Sequence, residues 1–182
     1  MMKPNKQHTL LLVIDLQKFL LKLLKKAEPY PPAQILETNE KLITMMTSKG
    51  IPSALVSVTQ KFLPQKYRQK SSQLALSKDV MAPSLIETYT KYQPSAYSIP
   101  ELRHFLEQHP IDTIILTGIV TNNGVLKTAK DFLSAGYQVI VIEDATTART
   151  RKLHDRSITE LKKLGAVVQS SDLSVEVGEQ YY

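Results

Sequence analysis

The sequence predicts an α/β domain in which a mainly parallel sheet is covered by helices on both faces. Three observations carry this expectation. Short apolar, partly β-branched runs alternate along the chain with longer segments of helical apolar spacing. Several of the runs are apolar on successive residues, as in strands buried on both sides. Gly50, Gly136 and Gly165 each close a helical segment, the usual place for a residue that turns the chain left-handed.

The elements follow in order. Thr9–Ile14 (TLLLVI) reads as a buried strand ending at Asp15. Lys18 to Lys26 is basic and apolar by turns, either a solvated helix or loop with its apolar side on the core, or a basic amphipathic helix for a membrane surface. Ala33 to Lys49 carries Ile35, Leu36, Leu42, Ile43 and Met46 at helical spacing, and Ser53–Val58 (SALVSV) is a second strand. Lys61 to Pro83 is polar, shows no clear period and reads as a long surface excursion, followed by a short strand over Leu85–Lys91. Ile99 to Gln108 suggests a helix, and Thr113–Leu116 (TIIL) a buried strand leading to Thr117-Gly118. Thr121 to Ala135 reads as one helix with Val125, Ala129, Phe132 and Leu133 on one side. Tyr137–Ile142 (YQVIVI) is a strand stopped by Glu143-Asp144, Lys152 to Leu164 a helix, and Ala166–Gln169 a last strand.

Composition bounds the function. At 182 residues the chain is one domain by the usual measure of about 150 residues each, with its core over about 9–169 and no repeat or linker. Apolar residues are 42% and charged residues 22%, a globular balance that argues against disorder or a coiled coil. There are 23 Lys+Arg against 17 Asp+Glu, a formal net charge of +6. The cations are dispersed and form no aromatic-lined groove, so no nucleic-acid or membrane partner is expected; the charge suits an acidic small molecule. The run Thr9–Leu24 is interrupted by Asp15, Lys18 and Lys22 and falls short of the ~20 residues of a membrane span. The first residues lack the pattern of a secretory signal, making the cytoplasm the expected compartment. Cysteine is absent, which removes disulfides, thiolate metal sites and a cysteine nucleophile.

Parallel sheets bind ligands beyond the carboxyl ends of their strands, so the polar residues there are the first candidates: Asp15, Thr59-Gln60, Lys91, Gly118 to Gly124, and Asp144. Directly after an apolar strand, Asp15 is either a partly buried acid or base tuned toward neutrality, or the cap of a turn. Lys91 either pairs with Asp15 and holds an anion, or is an exposed residue at a strand end. The segment Gly118-Ile-Val-Thr-Asn-Asn-Gly124 joins a strand to a helix; Thr121, Asn122 and Asn123 serve equally as caps or as the rim of an anion-binding helix start. It matches neither dinucleotide nor phosphate-loop fingerprints, and no Gly-x-Ser-x-Gly elbow exists. His8, His104, His109 and His154 lack metal-ligand spacing.

Four segments together resemble the isochorismatase-like (cysteine hydrolase) family: LLVIDLQKF at Leu11–Phe19, KYQPSAY at Lys91–Tyr97, LTGIVTNNGVLKTAKDFLSAGYQVIVIEDAT at Leu116–Thr146, and His154 ten residues after Asp144. Each is weak alone; their order and spacing make the resemblance specific, over about Thr9 to Val168. It implies a three-layer α/β/α sandwich on a six-stranded, doubly wound, Rossmann-like sheet. The family triad is Asp, Lys and Cys, the Cys standing in a Gly-x-x-Thr-x-x-Cys turn. By resemblance Asp15 and Lys91 are catalytic, the nucleophile's position is Gly124, and Val120, Thr121, Asn122, Asn123 and Gly124 form an oxyanion or substrate-binding turn. A non-proline cis peptide is expected at Val120–Thr121, and Gln17, Phe19, Thr59 and Tyr97 are candidate pocket residues.

With Gly at position 124 a thiol intermediate is closed, which leaves two readings. In one, Asp15 acts as the general acid of an isochorismatase-like hydrolase on a small acidic molecule, with Lys91 positioning it. In the other, a scaffold without its nucleophile binds a ligand or partner without turnover. Tyr92-Gln93 follow the lysine where known isochorismatases carry Trp-Arg, and Thr121-Asn122 stand where they carry Ala-His; both departures weigh against isochorismate itself. Nicotinamidases of the family hold a metal through Asp-x-His beyond the second strand, whereas this chain has Thr59-Gln60-Lys61-Phe62. No metal and no cofactor are therefore expected. The family's habits imply a homo-oligomer, dimer or tetramer.

Overall fold

The computed structural model describes residues 5–172. Six strands, β1 (Thr9–Ile14), β2 (Ser53–Val58), β3 (Ile86–Lys91), β4 (Thr113–Ile119), β5 (Gln138–Thr147) and β6 (Val167–Gln169), form one sheet in the order β3-β2-β1-β4-β5-β6. Every pairing in it is parallel. The helices are α1 (Lys18–Leu23), α2 (Pro32–Ser48), α3 (Gln65–Ser71), α4 (Lys78–Met81), α5 (Pro100–Gln108), α6 (Leu126–Ser134) and α7 (Arg151–Lys163).

The side-chain alternation of the central strands explains the layers. Leu10, Leu12 and Ile14 of β1, with Ile114 and Leu116 of β4, pack under α5, α6 and α7 through Leu102, Leu106, Ala129, Phe132 and Leu161. Leu11 and Val13, with Ile115 and Ile140, face α2 through Ile35, Leu42, Ile43 and Met46. This is the expected doubly wound α/β/α sandwich. Chain order reverses between β1 and β4, which leave the first βα unit in opposite directions; the crevice outside their carboxyl ends is where such sheets take ligands.

The basic run at Lys18 to Lys26 supplies the six-residue α1, whose Leu20 and Leu21 pack on the α2-side core with buried Leu24 nearby. No helix among the described residues is long and apolar enough to cross a membrane.

Several boundaries differ from the sequence reading. The excursion at Lys61 to Pro83 contains α3 and α4, which have no buried residue and hence no apolar period to detect. β5 runs past Glu143-Asp144 to Thr147, and β4 past Thr117-Gly118 to Ile119, because a register shift between Leu116 and Gly118 lets pairing resume at Gly118↔Thr146. Thr121 to Ala135 is not one α-helix: Thr121–Val125 is a π turn leading into α6. The non-proline cis bond lies between Ile119 and Val120, one bond before the expected Val120–Thr121, since ladder pairing persists to Ile119↔Thr147 and the turn begins directly after it.

Candidate active site

Asp15 leaves β1 at the centre of the sheet. Its N–H donates to Val56 O at 2.8 Å and its carbonyl accepts from Gln17 N at 2.7 Å. The tight reversal puts it at φ +62, a left-handed conformation that short polar side chains adopt at a cost of about 1–3 kcal/mol. Its carboxyl group is buried, 5% exposed as a residue. Lys91 ends edge strand β3, two strands away. Its long stem crosses the end of β2 so that Nζ donates to Asp15 Oδ2 at 2.8 Å and to Pro94 O at 2.5 Å. Lys91 is itself 1% exposed.

Two opposed influences act on the Asp15 carboxyl. Burial raises the Asp15 carboxyl from 3.8 to about 6, and the charge and hydrogen bond of Lys91 hold it from going higher. Asp15 Oδ1 is buried and has no hydrogen-bond partner. A buried carboxylate oxygen without a donor is unusual in a folded protein and marks a position for a proton or a bound polar group.

The turn after β4 closes the site from the other side of the switch point. Val125 N reaches back to Val120 O at 3.3 Å, and Asn123 N to the same oxygen at 3.0 Å. This places buried Gly124 against β1: a Cβ on residue 124 would stand 3.0 Å from Asp15 Oδ2, 3.2 Å from Ile14 Cδ1 and 3.3 Å from Ile119 O. A side chain at 124 would therefore touch the carboxylate directly. Asn122 is half-buried and Asn123 exposed, while Thr121 turns away into the protein and meets His154 Nδ1 of α7 at 2.9 Å.

The structure thus brings Asp15, Lys91 and Gly124 together. It gives other candidates structural tasks. Buried Gln17 bonds Val58 O (2.9 Å), Ser71 O (2.5 Å) and Val58 N (2.9 Å), tying α3 to the end of β2. Thr59 joins the same tie through Ser71 Oγ at 3.0 Å. Phe19 is 54% exposed on α1. Tyr97 packs edge-on against Phe132 and Tyr137 under Arg103. Asp144 accepts from Ser171 N and Oγ at 2.8 and 2.6 Å.

Arg68 escaped the sequence reading. On α3 it and Ser71, three residues apart, are the two residues that are not exposed, so they form the helix's inner face. Its Nε is buried without a partner. The only signal in sequence was a run with Lys61, Lys66, Arg68 and Lys70 and no acid between Gln60 and Ser77. Lys91 also borders a cavity of about 540 Å³ along the outer edge of β3, with Lys61, Tyr92 and Gln93. Lys61 Nζ lies 5.2 Å above the Tyr92 ring. A second cavity of about 390 Å³, near Pro52, Phe105 and Ile111, is at the amino end of the sheet, remote from this chemistry. Among the described residues no three His, Asp or Glu side chains gather as a metal-binding group.

Comparison with known proteins agrees with this architecture. A solved isochorismatase family protein from Burkholderia thailandensis superimposes with a TM-score of 0.78 at 22% identity, over 95% of this chain and 97% of that one. A curated Escherichia coli O157:H7 relative, described as an uncharacterized isochorismatase family protein (YecD), is 29% identical over 189 residues, covering 93% of this chain and 96% of its own. An Arabidopsis thaliana protein described as a probable inactive nicotinamidase is 32% identical over 72 residues, 39% of this chain and 37% of its own. The model of the isochorismatase domain matches residues 9–172, and with nearly the whole sandwich inside that match, the chain belongs to the isochorismatase family.

Proposed function

We propose that the protein hydrolyses a small acidic molecule by acid–base chemistry without a covalent thiol intermediate, Gly124 standing where the nucleophilic Cys of the cysteine hydrolases would be. One observation carries the reading: a buried carboxyl raised to about 6, with one oxygen free, sits beside a residue whose side chain would otherwise fill the space. A carboxylic acid tuned near the working pH is an effective proton donor. In its protonated form Asp15 gives its proton to the substrate, producing a cation-like carbon that water attacks. One water proton returns to Asp15, and the bond from that carbon to its leaving oxygen breaks as the other passes to the departing oxygen. Between the two transfers the Lys91 amine, 2.8 Å from Asp15 Oδ2, holds the resulting carboxylate in its ion pair. Arg68, on the inner face of α3 with its Nε buried and unpartnered, would supply a planar fork for a substrate carboxylate, in place of the Arg that known isochorismatases carry where this chain has Gln93.

The test is D15N. Hydrolysis of an identified substrate falls by about 10²-fold or more if Asp15 donates the proton; an unchanged rate ends the reading.

A second reading, ligand or partner binding without turnover, is favoured by how closed the pair is and by the resemblance to a relative described as probably inactive. G124C separates the two. A new amidase activity supports a scaffold that lost its nucleophile, whereas loss of an existing hydrolysis supports the aspartate mechanism.

A further inference from the structure

His154 lies outside the Asp15–Lys91 pair, yet it is fully buried. Its Nδ1 meets Thr121 Oγ1 at 2.9 Å, and its Nε2 has no hydrogen-bond partner, with Glu143 Oε1 at 3.9 Å. Tyr30 stands edge-on to the ring, with centroids 5.9 Å apart. Besides Glu143 on β5, the charged groups acting on it are Asp155 and Arg151 on α7. With a carboxylate facing Nε2, the neutral ring keeps its proton there. Nδ1 then accepts from the Thr121 hydroxyl. The order Glu143, His154, Thr121 is therefore a polar chain running from β5, through α7, into the first residue of the π turn.

We infer that His154 is a positioning residue: through Thr121 it pins the turn that holds Gly124 against Asp15 Oδ2. The inference rests on the reading of Asp15 as the working acid, but acts one step earlier, on the wall that keeps water from it. Thr121 opens the π turn and Gly124 is three residues on, so slack at Thr121 moves Gly124 away from the carboxyl group. Water then enters, and the burial that raises Asp15 is lost.

The readout is the ionisation of Asp15, followed by carboxyl-carbon NMR on the full chain, in wild type, H154A, H154N, T121V and T121S. Asn keeps an amide acceptor near the place of Nδ1; Ser keeps the hydroxyl. The expected result is that H154A and T121V move the Asp15 midpoint from about 6 toward 3.8, with faster amide exchange over residues 121–124, while H154N and T121S hold both near wild type. T121V is nearly isosteric and serves where H154A does not fold. An unchanged Asp15 midpoint in T121V overturns the inference. So does H154N behaving as H154A, since ring volume rather than the bond would then matter. Turnover does not enter this measurement, so a failed D15N assay and a failed clamp are separate results.

Discussion

The carboxyl of Asp15 is held by two opposed forces of known sign. Burial favours the neutral form, and Lys91 favours the charged one through both its field and its hydrogen bond; burial is the larger, leaving the group at about 6. As a general acid, Asp15 works only while protonated. Its active fraction is therefore half at about pH 6, approaches full a unit or more below it, and falls about tenfold for each further pH unit above it. The corresponding kcat/KM should decline across neutrality, and a rate that instead rises through pH 6 assigns Asp15 as a base. Lys91 supplies the converse experiment. K91M removes both influences that lower the carboxyl, so the Asp15 midpoint should move above 6 in an NMR titration; a fall would mean that the substitution admits water. From the residues alone the meeting of Asp15 and Lys91 was one of two alternatives, and only the family resemblance put both in one site, because pairing across β2 depends on strand order, which no local pattern encodes. Arg68 was less legible still, its helix having no apolar face to reveal which side is inward.

Strands were easier to read than the segments crossing the carboxyl end of the sheet. β1 and β2 occupy the residues their apolar runs mark, since a strand buried on both faces leaves a continuous signal. The π turn and α3 leave none, being set by hydrogen bonds to distant residues. Gln17 is the clearest of these. Q17L would strand Val58 N and O at the end of β2 and release Ser71, and each buried backbone group left unpaired costs about 1–3 kcal/mol. A loss of about 2–5 kcal/mol in urea unfolding is expected, with protection lost first in α3 by hydrogen exchange. Gly118 governs the other side of the switch point. At φ +109, where the register of β4 shifts, its Cβ would fall onto Ile14 O and lie 2.7 Å from Ile14 N. Backbone cannot yield as a side-chain tip can, so G118A must separate β4 from β1. It should cost about 4 kcal/mol or more, and a near-neutral G118A in urea unfolding would refute the tight β1–β4 approach.

At the scale of the whole molecule, one acid-free basic segment lies at the carboxyl end of the sheet. The chain has a net charge of +6, and the segment from Gln60 to Ser77, tied by Gln17 and Thr59 to the carboxyl ends of β1 and β2, contributes Lys61, Lys66, Arg68 and Lys70 without an acid. Lys66 and Lys70 are exposed on α3 and contact nothing in the pair below. For the acidic substrate proposed above, they would act through the long-range field, which draws an anion toward the crevice and is screened by salt. The screening length shrinks from about 10 Å at 0.1 M to about 3 Å at 1 M ionic strength, so kcat/KM for an acidic substrate should fall several-fold over that range while kcat holds. Reversing both lysines (K66E with K70E) takes the net charge from +6 to +2, two units for each change. At low salt the double variant should be slower than wild type in kcat/KM, and the two should converge at 1 M as screening removes the difference. Persistence of the gap at high salt would mean that the lysines contact substrate directly. No gap at any salt would mean that capture of the acid depends on buried Lys91 and half-buried Arg68 alone, with the outer field playing no part.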